Sequence, residues 1–269
     1  MTPSGLTLAR PRGPAPRIAV CVKMVPGFES RANSRGLVVR SGPGRLNPHD
    51  WGALELAARI KDAFGAQADV FSMGPKAAGE IVASALDIAG GQGFVLTDGA
   101  FAGADSLATA RALAAALELK GPYDLVICGP FTTDGGTAQV GPALAALTGR
   151  AYLGGVEHLV EAGQDYLTLA RREASERAEV KISFPAVCSV SKGALTPRIP
   201  SVRERLRKKP LSVLTLSDLG NPDPELYGES GSGTVILKTR KPDKPIKLAL
   251  SPNPSRAAEM ILAEAATLG

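Results

Sequence analysis

Short apolar runs alternate with helix-patterned segments through the first half of this chain, and no other feature limits its fold as much. Residues 17–23 (Arg-Ile-Ala-Val-Cys-Val-Lys), 69–73, 94–96 and 125–128 are rich in β-formers and bounded by turn residues, as buried strands are. Residues 51–64, 76–88 and 104–119 lie between them with helical spacing. In the first, Ala53, Leu56, Ala57, Ile60 and Phe64 mark one buried face. Asn47 or Asp50 is placed to cap that helix, Gly90-Gly91 to end the second, and Asp105 or Ser106 to start the third. The pattern predicts an α/β fold: a mostly parallel sheet, right-handed crossovers and helices on both faces. Such sheets bind ligands beyond the carboxyl ends of their strands. Here those ends are residues 21–23, Met73-Gly74 and 129–136. Residues 26–44 read as a long irregular loop.

Residues 124–142 carry the densest signal: Asp-Leu-Val-Ile-Cys-Gly-Pro-Phe-Thr-Thr-Asp-Gly-Gly-Thr-Ala-Gln-Val-Gly-Pro. They predict a strand, a loop over 129–136, and a helix running to Leu147 with Thr137 as its cap. Free N–H groups and the helix dipole would then face the loop. Gly135 and Gly136 have no Cβ, so a phosphate can approach the backbone, and Asp134 can accept from a ribose. Neither the Walker A pattern nor G-x-G-x-x-G is present. By itself the stretch is equally an ordinary strand–turn–helix connection.

Composition excludes several classes. With 44% hydrophobic and 21% charged residues in 269, the chain is that of a soluble globular protein. No uninterrupted apolar run could span a bilayer, so membrane insertion is not expected. Cys21, Cys128 and Cys188 fall in strand-like runs without paired spacing, which predicts free core thiols in a reducing, cytoplasmic setting. With only His49 and His158, no metal centre is expected, and His49 reads as a helix-start residue. The net charge of +5 is concentrated in Arg198, Arg203, Arg205, Arg207, Lys208 and Lys209, and again in residues 238–247. No aromatics interleave these runs, which favours a solvated face or an acidic protein partner over nucleic acid.

After Tyr152 the texture changes. Residues 156–160, 166–170 and 180–183 predict an antiparallel excursion, and 186–190 a return to the main sheet. Residues 195–210 form a proline-bounded basic loop, 228–233 a linker turn, 234–238 a strand and 256–268 a last helix. The organisation expected is a loose leader over 1–16, an α/β domain over 17–219 and a C-terminal arm over 220–269. The arm is too poor in core residues to fold alone.

Several segments, in order over residues 17–214, resemble the β subunit of electron transfer flavoprotein. Ile18-Ala19-Val20-Cys21-Val22-Lys23 is similar to that family's opening strand, and Leu46-Asn47-Pro48-His49-Asp50 to its Asn-Pro segment. Ser72-Met73-Gly74-Pro75, residues 100–109, residues 134–142 and Pro197-Arg198 resemble further parts. The resemblance implies an adenine-nucleotide-binding fold paired with an α subunit that carries a redox-active FAD. It implies an electron carrier, with no catalytic residue of its own, working with acyl-CoA-dehydrogenase-like or other flavoprotein partners. In simple carriers the β subunit holds AMP; in bifurcating members it holds a second FAD. Residues 134–142 and 101–106 look more like the bifurcating members, whereas Gly129-Pro130-Phe131-Thr132 matches neither group.

Carried over residue by residue, the nucleotide contacts fall on Cys21, Asn47, Pro48, His49, Asp50, Met73, Gly129, Asp134, Gly135, Gly136, Thr137, Ala138, Gln139 and Val140. Partner docking falls on Leu195, Pro197, Arg198, Val202 and Arg203, with Val202 where the family has a leucine anchor. The other readings are an adenine-nucleotide-binding regulatory module without a redox role, and an ATP-hydrolysing enzyme, which the missing Lys-Ser/Thr pair counts against.

Overall fold

The apolar runs of the first half all become neighbouring strands of one sheet. In a computed structural model, residues 14–27, 31–32, 38–39, 44–173, 176–235, 237 and 253–266 are described. The chain divides into two units, Met1–Val235 and Ile236–Gly269. The first unit begins with β1 (Ile18–Cys21), β2 (Met24–Pro26), β3 (Arg31–Ala32), β4 (Val38–Val39) and β5 (Gly44–Leu46). Next come α1 (Asp50–Phe64), β6 (Ala68–Met73), α2 (Ala78–Ala89), β7 (Gly90–Leu96), α3 (Ser106–Lys120), β8 (Leu125–Cys128) and α4 (Val140–Thr148). It continues with β9 (Ala151–Ala162), β10 (Tyr166–Glu173), β11 (Glu176–Ser183), β12 (Ala186–Val190), α5 (Val202–Leu206) and β13 (Leu211–Leu214). The described part of the second unit is chiefly α6 (Pro254–Ala266).

The main sheet has nine strands in the order β11-β10-β9-β12-β8-β1-β6-β7-β13. From β9 to β13 every neighbouring pair is parallel, and the antiparallel pairs are β9–β10 and β10–β11, so that β10 alone is reversed. Alternate residues of the central strands face opposite layers. Ile18, Val20, Leu125 and Ile127 pack with α1 and α2, while Ala19, Cys21, Val126 and Cys128 pack with α3 and α4. Burial on both faces is why these strands read as continuous apolar runs. The α/β fold with helices on both faces and an antiparallel excursion is therefore as the sequence predicts.

Several local expectations are corrected. Residues 26–44 are not wholly irregular, because β2 pairs with β5 and β3 with β4 in two antiparallel ladders. Neither Asn47 nor Asp50 caps α1: His49 holds the N-cap position without a side-chain bond, and Asp50 is the buried first residue of the helix. The helix after β8 starts at Val140, not beside Thr137, because Ala138 takes a left-handed φ of 57° and turns the chain first. Pro142 then sits in the first turn, where its missing N–H has no helical partner to lose. The loop over 195–210 contains α5, and β13 after it was not expected at all. Thr234, Val235 and Leu237 are outside any strand; residues 236 and 238 lie beyond the described residues.

Other ends follow expectation. Asp105 caps α3, its Oδ1 accepting from the N–H groups of Leu107 and Ala108 at 2.9 Å. Gly90 ends α2 with φ 89°, a conformation a side chain would oppose. Residues 220–235 pack onto the α/β layers: Tyr227 is buried edge-on against Phe101, and Asp105 Oδ2 accepts from Thr234 N–H at 2.9 Å.

Candidate functional site

β1 and β8 end side by side, with Cys21 opposite Cys128 in the register. The chain then leaves each strand at the carboxyl edge of the sheet. There the segment before α1 locks the two exits together. Lys23 N–H donates to Asp50 Oδ2 at 2.8 Å. Asn47 Nδ2 donates to Asp50 Oδ1 at 2.8 Å and to the Phe131 carbonyl at 2.9 Å. Thr133 N–H returns a bond to Asn47 Oδ1 at 3.3 Å. Asn47 is fully buried, so one amide joins α1 to the loop after β8. The His49 and Phe131 rings lie 4.4 Å apart above it. Gly129 is required by close approach, because a side-chain carbon there would collide with Asp50 Oδ1.

A second tie runs from Lys23 Nζ to Asp134 Oδ1 at 3.0 Å, with the Asp134 side chain only 8% exposed. Asp134 also accepts from the N–H of Gly135 at 2.8 Å. The carboxyl of Asp50 is enclosed and carries no direct ion pair among the described residues. Burial pushes it up to about 7; the bonds from Asn47 and Lys23 and the Lys23 charge pull it down, while Asp134 pushes the same way as burial. Burial and then Lys192 lower His49, which keeps it neutral at pH 7. The Cys128 thiol is held well up by its bond with Cys21 and by burial, so it stays protonated and unreactive.

Beyond this anchored base the loop is open. Gly135, Gly136, Thr137, Ala138 and Gln139 are exposed. Thr137 Oγ1 does not cap α4 but pairs with Ser106 Oγ, at 2.8 Å, on the first residue of α3. The starts of two helices therefore meet at one exposed stretch. They are not equivalent: Asp105 occupies the first N–H groups of α3, whereas no side chain caps α4. The leading N–H groups of α4 thus face the rim with the positive end of the helix dipole. The arrangement suits an anionic ligand carrying hydroxyl groups.

Of the residues singled out from sequence, Asn47, Asp50, Gly129 and Asp134 form one connected base, with His49 beside it through Phe131. Gly135 to Gln139 form the exposed lip and Val140 starts α4. Met73 ends β6 on the same rim, and Gly74 N–H bonds to the Leu96 carbonyl, but neither joins the Asn47 network. Pro48 is exposed. Lys23, Phe131 and Ser106 fall within the stretches 21–23, 129–136 and 101–106 that the sequence singled out, but their individual contacts were not foreseen. Lys23 had a readable signal, a charge directly after a buried strand; the other two depend on tertiary contact.

The segment after β12 divides into inward and outward residues. Leu195 is buried in the core, and Arg198 bonds to Glu55 through Nε at 3.0 Å and to Asp62 through Nη1 at 2.9 Å. Burial alone would raise Glu55, but the bonds from Arg198 and Arg59 outweigh it and hold the carboxyl low. Pro197 is half-buried; Val202 and Arg203 are exposed on α5, whose start is closed by a reciprocal Ser201–Glu204 capping box. Ile199, Val202 and Leu206 are 86%, 72% and 81% exposed. The basic run is partly committed: Arg207 donates to the Gly90 carbonyl and Lys209 pairs with Asp87. The second basic cluster, 238–247, lies outside the described residues.

Comparison with known proteins identifies the family. The electron transfer flavoprotein domain matches residues 35–219. The chain is 37% identical over 232 residues to the electron transfer flavoprotein subunit beta of Thermoanaerobacterium thermosaccharolyticum, covering 84% of this chain and 88% of that one. It is 34% identical to the protein FixA of Rhizobium meliloti, covering 84% and 81%. It is 33% identical to the caffeyl-CoA reductase-Etf complex subunit CarD of Acetobacterium woodii, covering 84% and 88%. No helix among the described residues is long and apolar enough to cross a membrane. The chain belongs to the electron transfer flavoprotein family, among its β subunits, and its role is to transfer electrons.

Proposed function

We propose that this chain pairs with an α subunit carrying a redox-active FAD, and that its own rim over 129–140 binds a second FAD in preference to AMP. The observation that carries the reading is the uncapped start of α4 beside the Ser106–Thr137 pair, above the buried Asn47 base. The α4 N–H groups would hold a diphosphate, the Ser106 and Thr137 hydroxyls its oxygens, and the Asp134 edge a ribose. AMP would use the same α4 start. The five exposed residues from Gly135 to Gln139, joined to the α3 start, leave room for the longer dinucleotide.

Flavin supplies the electron chemistry when bound; the protein orients it and controls access of water. A flavin-bifurcating complex fits this reading. One relative is named as a subunit of a caffeyl-CoA reductase-Etf complex, and a comparable flavoprotein dehydrogenase is the partner proposed here. It would dock on Val202, flanked by Ile199 and Leu206, which Arg198 holds in place through α1. The regulatory-module reading lacks any such support. Co-expression with the α subunit tests the proposal: a stable complex with a flavin absorption spectrum is expected. A stable complex without flavin, or no complex, would contradict it.

A further inference from the structure

The carboxyl rim continues past β8, across β12 and β9 to β10, and an arginine stands there without a partner. Arg171 Nε is buried and has no hydrogen-bond partner among the described residues. Its neighbours on the same hairpin are satisfied: Arg172 and Arg177 bond to the two oxygens of Glu157 at 2.8 and 2.9 Å. A buried guanidinium N–H left unpaired is costly, which makes an external acceptor the economical explanation.

The strand between explains how the space arises. β9 slips register against β12 between Cys188 and Val190, and against β10 between Ala170 and Arg171. The first slip spans Gly154 and Gly155 and the second spans Glu157; the φ of 76° at Gly155 belongs to the region that glycine tolerates. A side-chain carbon built on Gly155 would lie 3.4 Å from the Arg172 carbonyl oxygen and 4.0 Å from both Arg171 Nε and Ser191 Oγ. Two donors thus converge on a point where glycine leaves ordinary contact distance, with the Arg172 carbonyl on its other side. Arg171 pairs in register with Val156, Val156 with Val190, and the adjacent Ser189 with Cys128. The notch is therefore level with the β8 exit and three strands away, about 14 Å along the rim.

We propose that Arg171 and Ser191, in front of Gly155, form a second anion subsite that takes one phosphate or carboxylate group. The acceptor is a phosphate of a ligand lying along the rim or an acidic side chain of a bound protein; both present the same oxygen chemistry to Nε. The subsite is independent of which nucleotide fills the loop over 129–140.

Titration of the full chain with sodium phosphate and, separately, sodium acetate at constant ionic strength tests the assignment, with calorimetry as the readout. Arg171→Gln should weaken one of the two anions by about tenfold, and Arg171→Lys should recover part of the loss. Loss confined to phosphate assigns the subsite to a phosphorylated ligand; loss confined to acetate assigns it to an acidic partner. Equal titration of wild type and Arg171→Gln by both anions overturns the proposal. If Arg171→Gln does not fold, Ser191→Ala takes its place, and unchanged titrations with that variant overturn it equally. These outcomes hold whether or not flavin is present, so a colourless complex would defeat the preceding proposal without touching this one.

Discussion

Asp50 shows what single residues contribute. Its carboxyl has two hydrogen-bond donors and a burial cost that they do not cancel. Its acidity in the fold lies at about 7, against an ordinary value of 3.8. The folded state therefore holds a proton that the unfolded chain has lost between these limits. Stability is highest below pH 3.8 as far as this group is concerned, falls as pH rises through the window, and levels off above pH 7. Asp50→Asn should remove that slope, which is at most about 1.4 kcal/mol per pH unit for one group. Denaturant titrations of both proteins across the window check it, and parallel slopes would contradict the burial argument. The sequence marked Asn47 and Asp50 as site residues but assigned them a capping role. What it could not show is that the same amide reaches Phe131, 84 residues away. Such a bond has no local signature.

Among elements, the strands and helices of the first half were legible because burial on two faces leaves a plain apolar run and burial on one leaves helical spacing. The start of α4 was not, because the cap rule favours Thr137 and the backbone overrides it. Ala138 is the non-glycine residue with positive φ among the described residues, and a left-handed alanine costs roughly 1–3 kcal/mol. Ala138→Gly should relieve part of that strain and stabilise the fold by about 0.5–1 kcal/mol after the entropy cost of glycine. A lower denaturation midpoint in Ala138→Gly would show that the alanine methyl packs usefully instead. The strand β13 escaped notice for another reason. Leu-Ser-Val-Leu is short, follows Pro210, and exposes Leu211 and Val213, so it has neither the length nor the burial pattern of its neighbours. It is an edge strand, recognisable only once β7 is beside it.

For the whole molecule, topology places the candidate site. Parallel strands bring Cys21, Met73 and Cys128 to one edge, and the connections leaving that edge supply the anchored base and the exposed lip. The antiparallel excursion extends the same edge toward Arg171. In the C-terminal region α6 covers most of the 256–268 helix that was expected. Its Met260, Ile261 and Leu262 are 42%, 69% and 70% exposed, a surface that the proposed α subunit would cover. Aligned strand ends could be read from sequence, and the resemblance implied AMP or a second FAD beside them; the open helix start and the residues around it are what support the dinucleotide proposed here. The most direct test of that argument is to purify the complex with its α subunit, denature it, and quantify the nucleotides released. Two FAD and no AMP per complex is the result predicted; one FAD with one AMP would contradict it.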